Sequence, residues 1–279
     1  MKVVIILLIL IVVFACLYLL AIMPRMTGRP DTAPLRGWFY AHRGLHDNAS
    51  DAPENSMKAF HKAVEAGYGI ELDIQLTKDK VPVVFHDFTL KRICGAEGKV
   101  CDYTYEELQQ FTLCESQERI PKFSDVLALV KGRVPLIVEF KIEFMDLSLC
   151  PIADKLLREY KGTYCMESFN PLGVYWYRMN HREVVRGQLS TAFLKDGESK
   201  GALYFVLQHL LLNCLAKPDF VAYEHKYHNM LSRKICRGMY RNMAVAWTIK
   251  SEEELEEARK HFDVFIFDSF IPQKKGNEK

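Results

Sequence analysis

The chain has almost no net charge. Its 37 lysines and arginines stand against 35 aspartates and glutamates in 279 residues, a formal balance of +2. A protein held to nucleic acid by a basic face needs an excess of positive side chains, so nucleic acid is not an expected partner. None of the eight cysteines forms a Cys-x-x-Cys pair, and no spacing among them suits zinc. The seven outside the first apolar run are expected as free thiols. Cys94 and Cys101 could close a small loop in an oxidising compartment. Also missing are a Gly-Ser linker, a block of like charge, a repeat of fixed period and a glycine-rich loop after the first strand. The last absence weighs against a doubly wound dinucleotide fold. With 49% hydrophobic residues, the chain is expected to fold as a globular body.

Only one long hydrophobic run is present. From Val3 to Met23 no residue is charged, and Ile, Leu and Val dominate. About 20 such residues span a bilayer as a helix, whereas a cleaved signal peptide has a shorter apolar core of about 7–15 residues. Leu17 to Ile22 continue past Ala15-Cys16, and bulky Phe14 disfavours a lipoprotein-type cut at Cys16. A retained anchor over residues 1–24 is therefore expected, followed by a linker at 25–37 rich in Gly and Pro. Arg25, Arg29 and Arg36 follow the run, and Lys2 with the amino terminus precedes it. The positive-inside rule leans toward a cytoplasmic body by one or two charges, which leaves the side open.

The body is expected over residues 38–272, with a short tail at 273–279. Apolar strands at 38–42, 69–74, 135–140, 163–167, 184–189, 220–223, 244–247 and 263–267 alternate with helices. The helices fall at 56–66, 124–130, 151–160, 171–180, 202–215, 229–240 and 251–261. Alternation of this kind is the pattern of a parallel α/β fold. The apolar run 81–85 is set off from the second strand only by a short stretch ending in Lys78-Asp79-Lys80, too short for a parallel crossover, so it returns as a hairpin. That turn brings His86 back beside Asp73. Eight strands remain, the count of a (β/α)₈ TIM barrel.

Polar residues gather where these strands end. His42-Arg43-Gly44 closes the first, Glu71 and Asp73 share one face of the second, and the hairpin returns to His86-Asp87. Glu139 and Lys141 share a face at the end of the third barrel strand. Three carboxylates inside apolar strands are costly to bury unless paired or bound to metal. An all-oxygen set suits one hard cation, Mg²⁺ or Ca²⁺, and two histidines beside it suit acid–base work. Arg43 and Lys141 are anion binders. Together these residues suit the splitting of a phosphate ester. Asp268 either lies near the site or caps a turn, and the turn cap is the favoured reading. Trp247 could line the pocket or pack the barrel. His46, His61, His225 and His228 read as surface or packing residues.

These motifs resemble the glycerophosphodiester phosphodiesterase family. His42-Arg43-Gly44, Pro53-Glu54-Asn55-Ser56, Glu71-Leu72-Asp73, Pro82 to Asp87, Glu139-Phe140-Lys141, Ser168-Phe169 and Ala246-Trp247-Thr248 stand in its order. The resemblance implies a TIM barrel with a small insertion at about 89–121. It implies His42 and His86 as the acid–base pair and Glu71, Asp73 and Glu139 as ligands of one divalent cation. Arg43 and Lys141 would clamp the phosphate, with Glu54 and Trp247 in support. A glycine in the family's last strand is Val264 here. Metal-dependent hydrolysis of glycerophosphodiesters at a membrane is the expectation, with no protein partner required. Two alternatives stand beside it: a lysophospholipase D acting on lyso-lipids, and a barrel that binds phosphodiesters without cleaving them. An outward-facing body would add teichoic-acid-type polymers as substrates.

Overall fold

The computed structural model describes residues 1–195 and 200–274, so the tail expected at 273–279 lies outside the described residues from 275 onward. Nine strands form one sheet: β1 (Phe39–His42), β2 (Gly69–Leu76), β3 (Pro82–Val84), β4 (Leu136–Phe140) and β5 (Tyr164–Ser168), then β6 (Arg186–Ser190), β7 (Phe220–Glu224), β8 (Met243–Ile249) and β9 (Val264–Phe267). β3 pairs antiparallel with β2 as the expected hairpin. The other eight are parallel, and β1 pairs with both β2 and β9, which closes a TIM barrel.

Strand periodicity divides the core in two. Ile70, Leu72 and Ile74 point outward against the helices, in one cluster with Phe60, Val126, Leu136 and Val138. Tyr40, Ile137, Leu189, Phe220 and Val245 fill the barrel interior. Val264 is buried there at the amino-terminal end of β9, away from the strand ends that carry the polar residues. Helices start where side chains can cap them. Ser56 accepts from Ala59 N ahead of Met57–Glu65, and Ser251 accepts from Glu254 N ahead of Glu252–Arg259.

Two expectations change. The single helix at 202–215 is two short ones, Ala202–Gln208 and Asn213–Ala216. Between them Leu210 turns left-handed (φ 57°) and buries its side chain, while Tyr223 Oη and Ser190 Oγ donate to the freed carbonyls of Gln208 and Leu207. The segment at 25–37 is not a free linker. Leu35 is buried in the interior cluster and its carbonyl accepts from Tyr40 Oη, so this segment closes the barrel floor. Arg25 pairs with Asp219 and donates to the Arg182 carbonyl, and Arg29 donates to the carbonyls of Tyr240 and Arg241.

The amino-terminal helix Lys2–Ile22 is exposed along most of its length and docks at its last turn. Ile22 is fully buried, and its carbonyl accepts from Asn213 Nδ2 and Cys236 Sγ. All of these contacts lie at the amino-terminal ends of β6, β7 and β8. Residues between β3 and β4 build a satellite core from Leu90, Ile93, Val100, Leu108, Leu113 and Ile120. All eight cysteines are free thiols.

Candidate active site

The parallel register sets the site. Asp73 of β2, Glu139 of β4 and Glu167 of β5 are level with one another, and Glu71 is level with His42 of β1. Glu71, Asp73 and Glu139 are buried, and each offers an oxygen within 4.8 Å of the others. Lys141 Nζ reaches Glu139 Oε1 at 2.8 Å and Asp73 Oδ1 at 3.1 Å. After β1 the chain turns left-handed at Arg43 (φ 55°), which for a non-glycine residue costs roughly 1–2 kcal/mol. The turn aims the Arg43 amide at Glu71 Oε2 (3.2 Å) and its guanidinium at Glu54 (2.6 Å) and Asp73 (3.6 Å). Gly44 must follow: its φ is +84°, and a Cβ there would lie 2.9 Å from the Ala59 backbone.

Charge in this cluster is unbalanced. Burial, then the neighbouring carboxylates, push Glu71 well above the usual carboxylate range, and Glu167 likewise. Burial also raises Glu139, against the pull of Lys141. Asp73 is held well below that range. Its burial is outweighed by the charges of Lys141, His86 and Arg43 and by a hydrogen bond from Asn55 Nδ2 (2.9 Å). Four carboxylates therefore share two cations, Arg43 and Lys141, and Glu167 Oε2 is buried without a partner. One hard divalent cation suits that deficit and donor set. The residues present fit it.

Each histidine is steered by a carboxylate. His42 Nδ1 lies 3.2 Å from Asp268 Oδ2, and its Nε2 faces Glu71 at 4.0 Å. Burial lowers the His42 pKa to about 4, although the bond to Asp268 works in the other direction. His46 donates to the His42 carbonyl and lies 3.7 Å from Asp268 Oδ1. His86 Nδ1 meets Asp87 Oδ1 at 2.5 Å. Asp87 is gripped in turn by Arg92 (2.7 Å), which also forks onto both oxygens of Glu54 (2.7 and 2.8 Å). Burial raises Glu54, but the bonds from Arg92 and the charge of Arg43 bring it down to about 2. His42, Arg43, His46, Glu54, Arg92 and Asp268 line a mouth cavity of about 770 Å³.

Arg92, carried on the short helix Lys91–Cys94 of the satellite, thus ties the partner of one histidine to the partner of Arg43. Removing such a support typically costs 10–100-fold. Arg92→Ala is expected to lower kcat about tenfold while far-UV circular dichroism stays unchanged. An unaltered kcat would mean that the fork only braces the satellite.

The structure brings together the sequence candidates His42, Arg43, Glu54, Glu71, Asp73, Glu139 and Lys141, with His86 joined through Asp87 and Arg92. Trp247 stands apart: its ring packs edge-on against Phe169 at 5.6 Å, and its indole Nε1 is buried without a partner. Sequence reasoning weighed Asp268 as near the site but favoured a turn cap, and it missed His46, read as a surface or packing residue. It also passed over Glu167, although a glutamate within an apolar strand level with Glu139 carries the same signal. Arg92 left no local signal.

A model of the glycerophosphoryl diester phosphodiesterase family matches residues 42–184. Human glycerophosphodiester phosphodiesterase 1 is 25% identical over 273 residues, covering 83% of this chain and 77% of that protein. Glycerophosphodiester phosphodiesterases of Bacillus altitudinis and Caldanaerobacter subterraneus are 40% and 38% identical over 112 and 128 residues, or 38% and 43% of this chain. Those matches span about half of each relative, 44% and 51%. Among solved structures, an Oleispira antarctica phosphodiesterase in complex with the product sn-glycerol-3-phosphate superposes with a TM-score of 0.67 at 22% identity, covering 84% of this chain and 93% of that one. The Thermotoga maritima glycerophosphodiester phosphodiesterase gives 0.63 at 23%, covering 82% and 93%. Those structural likenesses speak for the barrel, and the family match runs from His42 through the carboxylate cluster. The chain belongs to the glycerophosphoryl diester phosphodiesterase family, whose activity is that of a phosphoric diester hydrolase.

Proposed function

We propose that the chain hydrolyses glycerophosphodiesters to glycerol 3-phosphate and an alcohol. The observation that carries this reading is the convergence of His42, Arg43 and Lys141 on one buried cluster of three carboxylates. Glu71, Asp73 and Glu139 would hold one Mg²⁺ or Ca²⁺, which when bound neutralises phosphate charge and acidifies a nearby hydroxyl. Arg43 and Lys141 place two fixed positive charges beside the phosphate. His42 gives its Nδ1 proton to the bond with Asp268, which leaves Nε2 to take a proton from the attacking hydroxyl. His86, with Nδ1 tied to Asp87, is placed to protonate the leaving alkoxide from Nε2. The same pair serves attack by water and attack by the substrate's own glycerol hydroxyl, which passes through a cyclic phosphate. Glycerol 3-phosphate in the Oleispira antarctica structure supports this choice of product.

The helix Lys2–Ile22 supports a single-pass membrane anchor: it has 21 residues, a mean hydropathy of 3.5 over its most apolar stretch and a length of about 30 Å. Its docked end lies on the barrel floor, opposite the strand ends that carry the histidines. The mouth then opens away from the bilayer. That geometry favours diesters taken from water over lyso-lipids held in the same membrane. The test is release of the alcohol, choline or ethanolamine, by the full chain in detergent from glycerophosphocholine, glycerophosphoethanolamine and lysophosphatidylcholine, with Mg²⁺, Ca²⁺ or EDTA; the partner product is glycerol 3-phosphate from the first two and lysophosphatidate from the third. Release from the two water-soluble diesters, abolished by EDTA, is expected. Faster release from the lyso-lipid would reverse the substrate assignment, and no release from any of the three would favour a binding barrel.

A further inference from the structure

We propose that His228, Glu257 and His261 form a binding site for a zinc-type dication on the outside of the barrel, separate from the three-carboxylate cluster. His228 is about thirty residues from the Glu257–His261 pair, and none of the three belongs to the mouth. Topology joins them: His228 lies in the loop after β7, and Glu257 sits on Glu252–Arg259, the helix after β8, with His261 just beyond its end. One ligand atom from each comes within 4.8 Å of the others.

The donors are arranged as ligands. His228 Nδ1 donates to the His225 carbonyl at 3.2 Å, which fixes the proton there and leaves the Nε2 lone pair available. Metal-bound histidines are held by the same kind of outer bond. Glu257 and His261 are one helical turn apart, with Oε1 and Nε2 at 3.2 Å. The other Glu257 oxygen is occupied by Lys260 Nζ at 2.6 Å, so one oxygen remains. Buried Arg233 donates to both the His228 carbonyl (2.8 Å) and the His261 carbonyl (3.0 Å), which pins the two backbones together. The imidazoles stack with centroids 4.2 Å apart and planes within 7°. Stacked rings at that distance are favourable only when at least one is neutral, the form that binds metal.

Two imidazoles and one carboxylate with an open fourth position make a donor set for Zn²⁺, where the Glu71, Asp73 and Glu139 cluster supplies carboxylate oxygens. In a tetrahedral site with bonds of about 2.0–2.1 Å the ligand atoms lie roughly 3.3 Å apart, so binding would turn the two imidazoles out of the stack until their nitrogen lone pairs converge. Buried His225, whose Nε2 faces Glu254 Oε2 at 3.4 Å, lines the same depression of about 370 Å³ beside His228 and Glu257. Bound there, the ion would clamp the loop after β7 to the helix after β8.

The experiment titrates ZnCl₂ into the full, EDTA-stripped and desalted chain in detergent, with millimolar Mg²⁺ present to compete at the carboxylate cluster. Wild type, His228→Ala and Glu257→Gln are compared. One zinc equivalent that Mg²⁺ does not displace is expected, with a raised Tm and at least tenfold weaker zinc binding in both variants. Mg²⁺-supported glycerophosphocholine turnover should be the same in all three proteins. Glu257 is on an exposed helix face, so that variant decides the matter if His228→Ala folds poorly. Absence of Mg²⁺-resistant zinc in wild type, or its retention in Glu257→Gln, would overturn the assignment.

Discussion

Alanine in place of His42 is expected to lower kcat/KM for glycerophosphocholine by about 100- to 10,000-fold, the usual contribution of a positioned acid–base group. The size follows from the lack of a substitute. His46 Nδ1 is committed to the His42 carbonyl and its Nε2 turns toward Asp268, so neither nitrogen faces Glu71 as His42 Nε2 does. His86 is engaged on the satellite side of the mouth by Asp87. The loss should fall on kcat with KM little changed, because Arg43 and Lys141, not His42, hold the phosphate. Asp268→Asn should fall between the two proteins, since it loosens the ring's tautomer without removing it. Rates and circular dichroism on purified His42→Ala decide the point. Activity within a few-fold of wild type would remove His42 from the chemistry.

Glu71→Gln is expected to cost activity at least about 100-fold while raising the Tm of the protein in EDTA. The two effects share one cause. Without a cation, Glu71 is buried beside Asp73, Glu139 and Glu167, and only the Arg43 side offers it positive charge. An amide of the same shape ends that repulsion and can still accept from the Arg43 amide. With saturating Mg²⁺ the order should invert: wild type gains stability by binding the ion, and the variant gains less because it has lost a ligand. Thermal unfolding of both proteins with EDTA and with Mg²⁺ is the measurement. A variant less stable than wild type in EDTA would show that the carboxylates are compensated within the chain and that no cation is called for. A trade of stability for function of this kind is common where like charges are held together.

The barrel was legible because each strand writes its two faces in alternate residues. Ile70, Leu72 and Ile74 interleave with Glu71 and Asp73, and a parallel sheet covered on both faces buries both sets. The short gap between β2 and β3 was equally decisive, since residues 77–81 permit a hairpin and are too few for a parallel crossover. Harder to read were partners made by register and topology. Asp268 is 226 residues from His42, and a lone aspartate after an apolar strand has a turn cap as its local explanation. Arg92 reaches Glu54 from a satellite whose own sequence shows only a small apolar core. The break near Leu210 had no glycine or proline to announce it. It arises because the carbonyls freed there find Tyr223 and Ser190, which are contacts from other strands.

The docked end of the first helix has a further consequence, for release of the body from a membrane. Because Ile22 is part of the core and Leu35 closes the floor, the first 35 residues plug the barrel as well as carrying the proposed anchor. A protease that cut between the helix and the barrel would not shed an intact enzyme. It would uncover the seat formed by Asn213, Cys236 and Tyr240, and emptying a buried isoleucine position alone costs about 2–5 kcal/mol. Detachment and unfolding are thereby coupled, so a fragment freed at this hinge would be short-lived.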